Sequence, residues 1–368
     1  MKVNESIYFL DLKKQYSLIK EEIIEALLKV CESTEFSGGT FVRDFERNFA
    51  RYCNAKYAAG LNSGTSALHL AMVVLNIKED DEVIIPANSF ISTAWAPAYV
   101  NATPVFVDCD PDTWNIDVKD VEERITSKTK AIIGVHLYGQ PCDIDELIKI
   151  ANKYKLFLVE DCAQAAGSKY KGKNIGCFGE LGCFSFYPAK NLGAYGDAGA
   201  IATNNSIYYE HVKSLRNHGG VRKYYHDQIG YNMRMSDMQA AILNLKLGYL
   251  NNWNKRRKEI AEIYSNNIIN SKIKLQFQPH WAESNYHLFV VTTEERDKLI
   301  NYLAENNIYC GLHYPVPCHL QKAFKYLGYE EGSLPNCEYL AKHCISLPMY
   351  PELKNREVEI VVKIVNKF

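Results

Sequence analysis

No CxxC pair and no H-x-x-x-H spacing occur in this chain of 368 residues, although it carries 11 cysteines and 10 histidines. An odd number of scattered cysteines gives no disulfide framework, and neither residue type is spaced for a zinc site. No metal is expected. Cys162 and Cys183 are expected to pack as small apolar thiols rather than to act. The chain also lacks an excess of charge, with 42 basic against 43 acidic residues and a pI near 6.8. No global field gathers nucleic acid or an anionic membrane, so any grip on a charged substrate must be local. A basic DNA-reading helix is missing as well. Met1-Lys2-Val3-Asn4-Glu5-Ser6 holds no apolar signal core, and no apolar run has the length to cross a bilayer, so a cytoplasmic protein is expected. There is neither an internal repeat nor a low-complexity tract.

What is present is apolar material for a large core, 47% of residues, in a chain of 42.0 kDa whose length suggests two domains. Strand-like runs (82–86, 103–108, 129–136, 156–160, 183–187 and 199–203) alternate with helical stretches. That order calls for an α/β fold, a mainly parallel sheet with helices on both faces. One long helical stretch, 236–264, is expected to cross from a large domain (1–250) to a smaller α+β domain (251–368). The smaller one mixes strands such as 287–292 with helices such as 295–306.

Three segments carry chemistry. Lys190 lies in Phe184-Ser185-Phe186-Tyr187-Pro188-Ala189-Lys190-Asn191-Leu192-Gly193, between an apolar strand-like run and a glycine-containing turn. The apolar approach disfavours the charged amine, and the uncharged amine is the form that attacks an aldehyde. Leu156-Phe157-Leu158-Val159-Glu160 reads as a strand buried on both faces, with Asp161 at its carboxyl end. An acid there can meet a cationic ligand, or it can cap a following helix. Leu61-Asn62-Ser63-Gly64-Thr65-Ser66-Ala67-Leu68 sets small, donor-rich residues before an apolar helix, which suits either an anion or an ordinary cap. Phosphate seat, acid and amine are the three handles on pyridoxal 5′-phosphate (PLP).

With Val135-His136-Leu137-Tyr138-Gly139-Gln140, Glu160-Asp161-Cys162-Ala163-Gln164, Gly230-Tyr231-Asn232-Met233-Arg234-Met235 and His313-Tyr314-Pro315, these segments make six pieces in order. From about Phe9 onward the chain resembles the DegT/StrS sugar-nucleotide aminotransferases, of PLP fold type I. The resemblance implies a large domain with a mainly parallel seven-stranded sheet. It also implies roles. Lys190 holds PLP as an imine and moves the proton, and Asp161 keeps the pyridine nitrogen protonated. Gln164 lies near the phenolic oxygen, and Gly64, Thr65 and Ser185 bind the phosphate. Phe90 stacks on the ring, with Trp95 a weaker rival and core packing the plain alternative for an aromatic at this place. Asn232 and Arg234 come from the neighbouring subunit, to the phosphate and the nucleotide sugar, which requires a homodimer with its active sites at the interface. Arg222, in a loop of cations and aromatics, suits diphosphate oxygens or a solvated surface. His313 and Tyr314 contact substrate.

The function so implied is transfer of an amino group from L-glutamate to a keto-deoxysugar nucleotide, in surface-glycan or secondary-metabolite synthesis. The tail Asn191-Leu192-Gly193-Ala194-Tyr195-Gly196-Asp197 resembles enzymes acting on 3-keto-6-deoxyhexoses, dTDP- or UDP-linked. Alternatives are 4-keto sugar aminotransferases, cyclitol aminotransferases, aminohydroxybenzoate synthases and a non-catalytic regulatory homologue. Sugar dehydratases of the family carry His at the lysine position, and Lys190 argues against them.

Overall fold

A computed structural model describes residues 5–368; Met1-Lys2-Val3-Asn4, read above for a signal core, lie outside the described residues. Seven strands make the central sheet: β1 (Tyr57–Leu61), β2 (Glu82–Pro86), β3 (Thr103–Val107), β4 (Thr129–Val135), β5 (Phe157–Asp161), β6 (Leu181–Ser185) and β7 (Gly199–Thr203). Their order is β1-β7-β6-β5-β4-β2-β3. The pairings β2 with β3, β2 with β4, β4 with β5 and β5 with β6 are parallel. β7 runs antiparallel between β6 and β1.

The strands are apolar on both faces because helices cover both. Val83, Ile85, Ile133 and Val159 belong to one buried cluster with Leu68 and Leu70 of helix Gly64–Val74. Their neighbours Ile84, Ile132 and Leu158 turn to the opposite face, against Phe45 and Phe49 of helix Thr40–Tyr52 and Leu147 of helix Ile144–Tyr154. A second sheet, antiparallel, pairs Lys274–Leu275 with Phe289–Thr292 and the latter with Cys344–Leu347. It belongs to a third cluster, with Tyr264, Leu303 and Val361. Ile7 joins that cluster too, bridging to Ile308.

The expected single helix over 236–264 is two helices, Asp237–Leu247 and Leu250–Asn267. Gly248, a poor helix former, sits at the break. The first half buries Ala240 and Leu243 under the central sheet, and the second buries Ile260, Ala261 and Tyr264 in the third cluster. Two cores pull on two faces. The strand expected at 183–187 begins earlier and ends at Ser185, which places Lys190 in the loop beyond it.

Beside the site-bearing end of β5 lies a buried carboxylate–imidazole pair. Glu160 and His136 are sealed from water, with His136 Nε2 3.2 Å from Glu160 Oε2. Glu160 also accepts the amides of Gly176 (2.8 Å), Phe178 (2.7 Å) and Gly179 (3.0 Å). His136 Nε2 and these amides outweigh burial and hold the Glu160 carboxyl below the usual range, and the Cys142 amide donates to His136 Nδ1 (3.2 Å), so the ring carries its one proton on Nε2. The Glu160 contribution is present above the ordinary glutamate range and is lost as pH falls through its depressed value. Glu160→Gln is therefore expected to destabilise the fold at pH 7 by about 3–5 kcal/mol. Denaturant unfolding of both proteins checks it, and the gap should narrow as pH falls through the depressed Glu160 value.

Candidate active site

The carboxyl ends of the parallel strands open on a cavity of about 500 Å³, and Lys190, Asp161, Gly64, Thr65 and Ser185 all line it. Lys190 arrives on the loop after β6, Asp161 is the last residue of β5, and Gly64 and Thr65 open the helix after β1. No helix follows Asp161, so the capping alternative drops away. Its carboxylate is buried and accepts bonds from two neutral donors, Thr93 Oγ1 (2.7 Å) and the Ala163 amide (3.1 Å). Burial raises the Asp161 carboxyl, against the pull of these bonds and of the Lys190 charge. Burial likewise brings the Lys190 amine down to about 8, opposed by the Asp161 carboxylate. Each ion wants a partner that the protein does not supply. That is the state in which a cationic ring nitrogen and an aldehyde would be welcomed.

The first turn of helix Gly64–Val74 is shaped for an anion. The Ser63 side chain caps the Ser66 amide (3.0 Å) and its carbonyl takes the Ala67 amide (3.1 Å). The Gly64 and Thr65 amides have no partner among the described residues, as expected of a helix start. Thr65 Oγ1 lies 2.7 Å from Ser92 Oγ. A Cβ on Gly64 would fall 2.7 Å from Ser185 Cβ, so only glycine lets helix and strand close on the seat.

On the other walls, Phe90 lines the cavity, half of its surface open, with its ring 5.8 Å from that of Tyr314. Trp95 does not line it and packs against the core. Gln164 is fixed at both ends: its Oε1 accepts the Tyr138 amide (2.6 Å) and its Nε2 donates to the Tyr314 hydroxyl (2.9 Å). His313 bonds Ser346 Oγ through Nδ1 (2.8 Å), and burial, helped by the Lys190 charge, brings it down to about 4. Sequence reasoning missed His287, which lines the cavity from the segment just before strand Phe289–Thr292, and Asn191, which binds it. The strand expected at 287–292 begins only at Phe289, and a histidine at the edge of an apolar run carries no local signal of a site.

Three expected residues lie away from this cavity within the single chain. Asn232 pairs with Asn217 in a short bridge, and Arg234 bridges Leu61 and lines a second cavity of about 330 Å³ with Lys213 and Arg216. Arg222 stacks its guanidinium 4.5 Å over the Tyr225 ring. Cys162 and Cys183 are buried, and burial raises both thiols well. Two side-chain groups among the described residues draw together as metal ligands would, Asp108-Cys109-Cys337 and His136-Glu160-Cys162. In both, the carboxylate is already taken by backbone amides.

A buried amine, a buried acid and an open helix start lining one cavity are the groups that would hold PLP by its aldehyde, its ring nitrogen and its phosphate. The family model described as the DegT/DnrJ/EryC1/StrS aminotransferase family matches residues 17–366. A dTDP-3-amino-3,6-dideoxy-alpha-D-galactopyranose transaminase of Aneurinibacillus thermoaerophilus is 46% identical, over 98% of this chain and 99% of its own. A "pleiotropic regulatory protein" of Geobacillus stearothermophilus is 42% identical, over 99% and 98%. Among solved structures, Streptomyces venezuelae DesV in complex with a ketimine intermediate superposes with a TM-score of 0.97 at 39% identity, covering 99% of this chain and 98% of that one. Bacillus subtilis NtdA with bound cofactor PMP gives 0.90 at 30% identity, covering 99% and 86%. With its lysine and acid facing one cavity, the chain belongs to the DegT/DnrJ/EryC1/StrS family and is a PLP-dependent aminotransferase.

Proposed function

We propose that this enzyme moves an amino group from L-glutamate to the keto group of a nucleotide-linked deoxysugar, at carbon 3, in the cytoplasm. The observation that carries the reading is the convergence of Lys190, Asp161 and the Gly64–Thr65 helix start on one cavity. When bound, PLP supplies an electron sink for the carbanion left as a proton leaves the amine-bearing carbon. Lys190 holds the cofactor through its amine and, once displaced by the donor, carries the proton between that carbon and C4′. Asp161 stands against the ring nitrogen and keeps its proton in place. Gly64, Thr65 and Ser185 take the phosphate, Gln164 faces the phenolic oxygen, and Phe90 covers the ring.

His313 and Tyr314, which line the same cavity, contact the sugar. Asn232 and Arg234 reach the neighbouring subunit's cavity in a homodimer, the first to its phosphate and the second, with Arg222, to the nucleotide. Their distance from this chain's own cavity supports that reading. A division near residue 250 separates the large and small domains. Carbon 3 is favoured by the Lys190 tail and by the printed name of the Aneurinibacillus relative. The printed name of the Geobacillus relative raises regulation as another role. A lysine and an acid kept desolvated without ionic partners are costly to hold without turnover.

Lys190→Ala should lose amination while unfolding at the same temperature as the parent. Borohydride should add the cofactor's mass to Lys190 of the parent alone, and turnover persisting in the variant would overturn the assignment. Gly64→Ala forces the seat apart and should weaken cofactor binding by about 1.4–2.8 kcal/mol, roughly tenfold to a hundredfold. Titration of the apoenzyme with PLP measures it. With glutamate and a panel of 3-keto and 4-keto nucleotide sugars, NMR should place the new C–N bond at carbon 3; product from 4-keto sugars alone would reverse that choice.

A further inference from the structure

His287 is more than nine-tenths buried, lines the active-site cavity and has no part in the chemistry assigned above. Its hydrogen bonds determine its tautomer. Nδ1 lies 3.1 Å from Asn191 Oδ1. The Asn191 amide cannot be turned round, because its Nδ2 donates to the backbone carbonyl of Asn285 (3.1 Å), which can only accept. Asn191 therefore offers an acceptor, and His287 must carry its proton on Nδ1. The backbone of His287 is held as well, its amide donating to Asn285 Oδ1 (2.9 Å) and its carbonyl accepting from Arg257 (3.2 Å).

The other nitrogen, Nε2, has no partner among the described residues, and it is not among the buried polar atoms closed off from solvent. Its lone pair opens on the cavity that the residue lines. The ring is kept neutral by burial and by the nearby charges of Lys190 and Arg257. A fixed, uncharged acceptor offers nothing to a carboxylate, and the Lys190 and Arg257 charges beside it disfavour an ammonium. It suits a neutral donor.

We infer that His287 is a specificity residue whose Nε2 accepts a hydrogen bond from a ring hydroxyl of the keto-sugar substrate and makes no bond to the amino donor. The inference rests on the proposed reading of the cavity as a sugar aminotransferase site. It separates the two half-reactions that share the cavity: glutamate, with a carboxylate at each end, gains nothing from His287, whereas a polyhydroxylated ring is oriented by it.

The test follows each half-reaction of the holoenzyme by the cofactor's absorbance in single turnovers, first with glutamate and then with a nucleotide-linked 3-keto sugar. His287→Asn keeps a donor toward Asn191 and removes the cavity-facing acceptor; His287→Gln returns a carbonyl oxygen near the place of Nε2. The Asn variant should lose roughly tenfold or more in the sugar half-reaction, with glutamate conversion unchanged, and the Gln variant should recover most of the loss. Loss in both half-reactions together, an unchanged sugar half-reaction, or no recovery with Gln would each overturn the inference. Independently of turnover, ¹⁵N NMR of histidine-labelled protein should show His287 protonated on Nδ1 and bare on Nε2, and the opposite tautomer would also overturn it. Parent enzyme that converts neither glutamate nor any keto sugar would instead remove the functional reading itself, and this inference with it.

Discussion

Two adjacent carboxylates on β5 decide how this molecule works, because the pleat of a strand sends neighbours to opposite faces. Glu160 turns into protein, where His136 and three backbone amides satisfy it. Asp161 turns to the cavity, where two neutral donors leave its charge unbalanced. A one-residue slip of β5 would exchange them, burying the reactive acid in a closed network and setting the satisfied one at the site. The register of β5 against β4, with Val135 opposite Asp161, thus decides which carboxylate faces the cavity. The amides that pin Glu160 come from Gly176, Phe178 and Gly179, on the connection that leads to β6 and hence to Lys190.

Much of the large sheet was legible in the sequence because its strands are short apolar runs between helices. Six of the seven strands could be read in this way. The exception is β1, whose Tyr57-Ala58-Ala59-Gly60-Leu61 is too poor in bulky residues to announce a strand; its burial comes from Met235 and the helices around it, which are distant in sequence. The break at Gly248 was also hidden, since helical periodicity runs through 236–264 and only the separation of two cores shows that one helix cannot serve both.

At the site, the residues legible from sequence are those fixed by local geometry. Gly64 precedes a helix and Asp161 ends a strand, and each of those settings has its own pattern. Lys190 needed the apolar approach of β6 before it could be singled out. His287 had no such pattern. Its significance depends on an amide 96 residues away whose orientation is fixed by yet another strand connection, and no window along the chain contains that logic. Asn232 and Arg234 are intermediate: their motif stands out, yet the chain that carries them folds them away from its own cavity.

The Lys190 loop shows how the fold keeps such groups in place without neutralising them. Lys246 is buried, donates to the Gly193 carbonyl (2.8 Å) and lies 4.3 Å over the Tyr195 ring. Asn191 ties the same loop to Asn254 (2.8 Å) and to the Asn285 carbonyl. Cation, amides and an aromatic face anchor the backbone on both sides of Gly193, and none of them offers a carboxylate to the Lys190 amine. An ion pair would have fixed the loop equally well, but it would have stabilised the ammonium and raised the amine's pKa. By anchoring the backbone with groups that leave the amine alone, the structure holds Lys190 still and keeps it reactive.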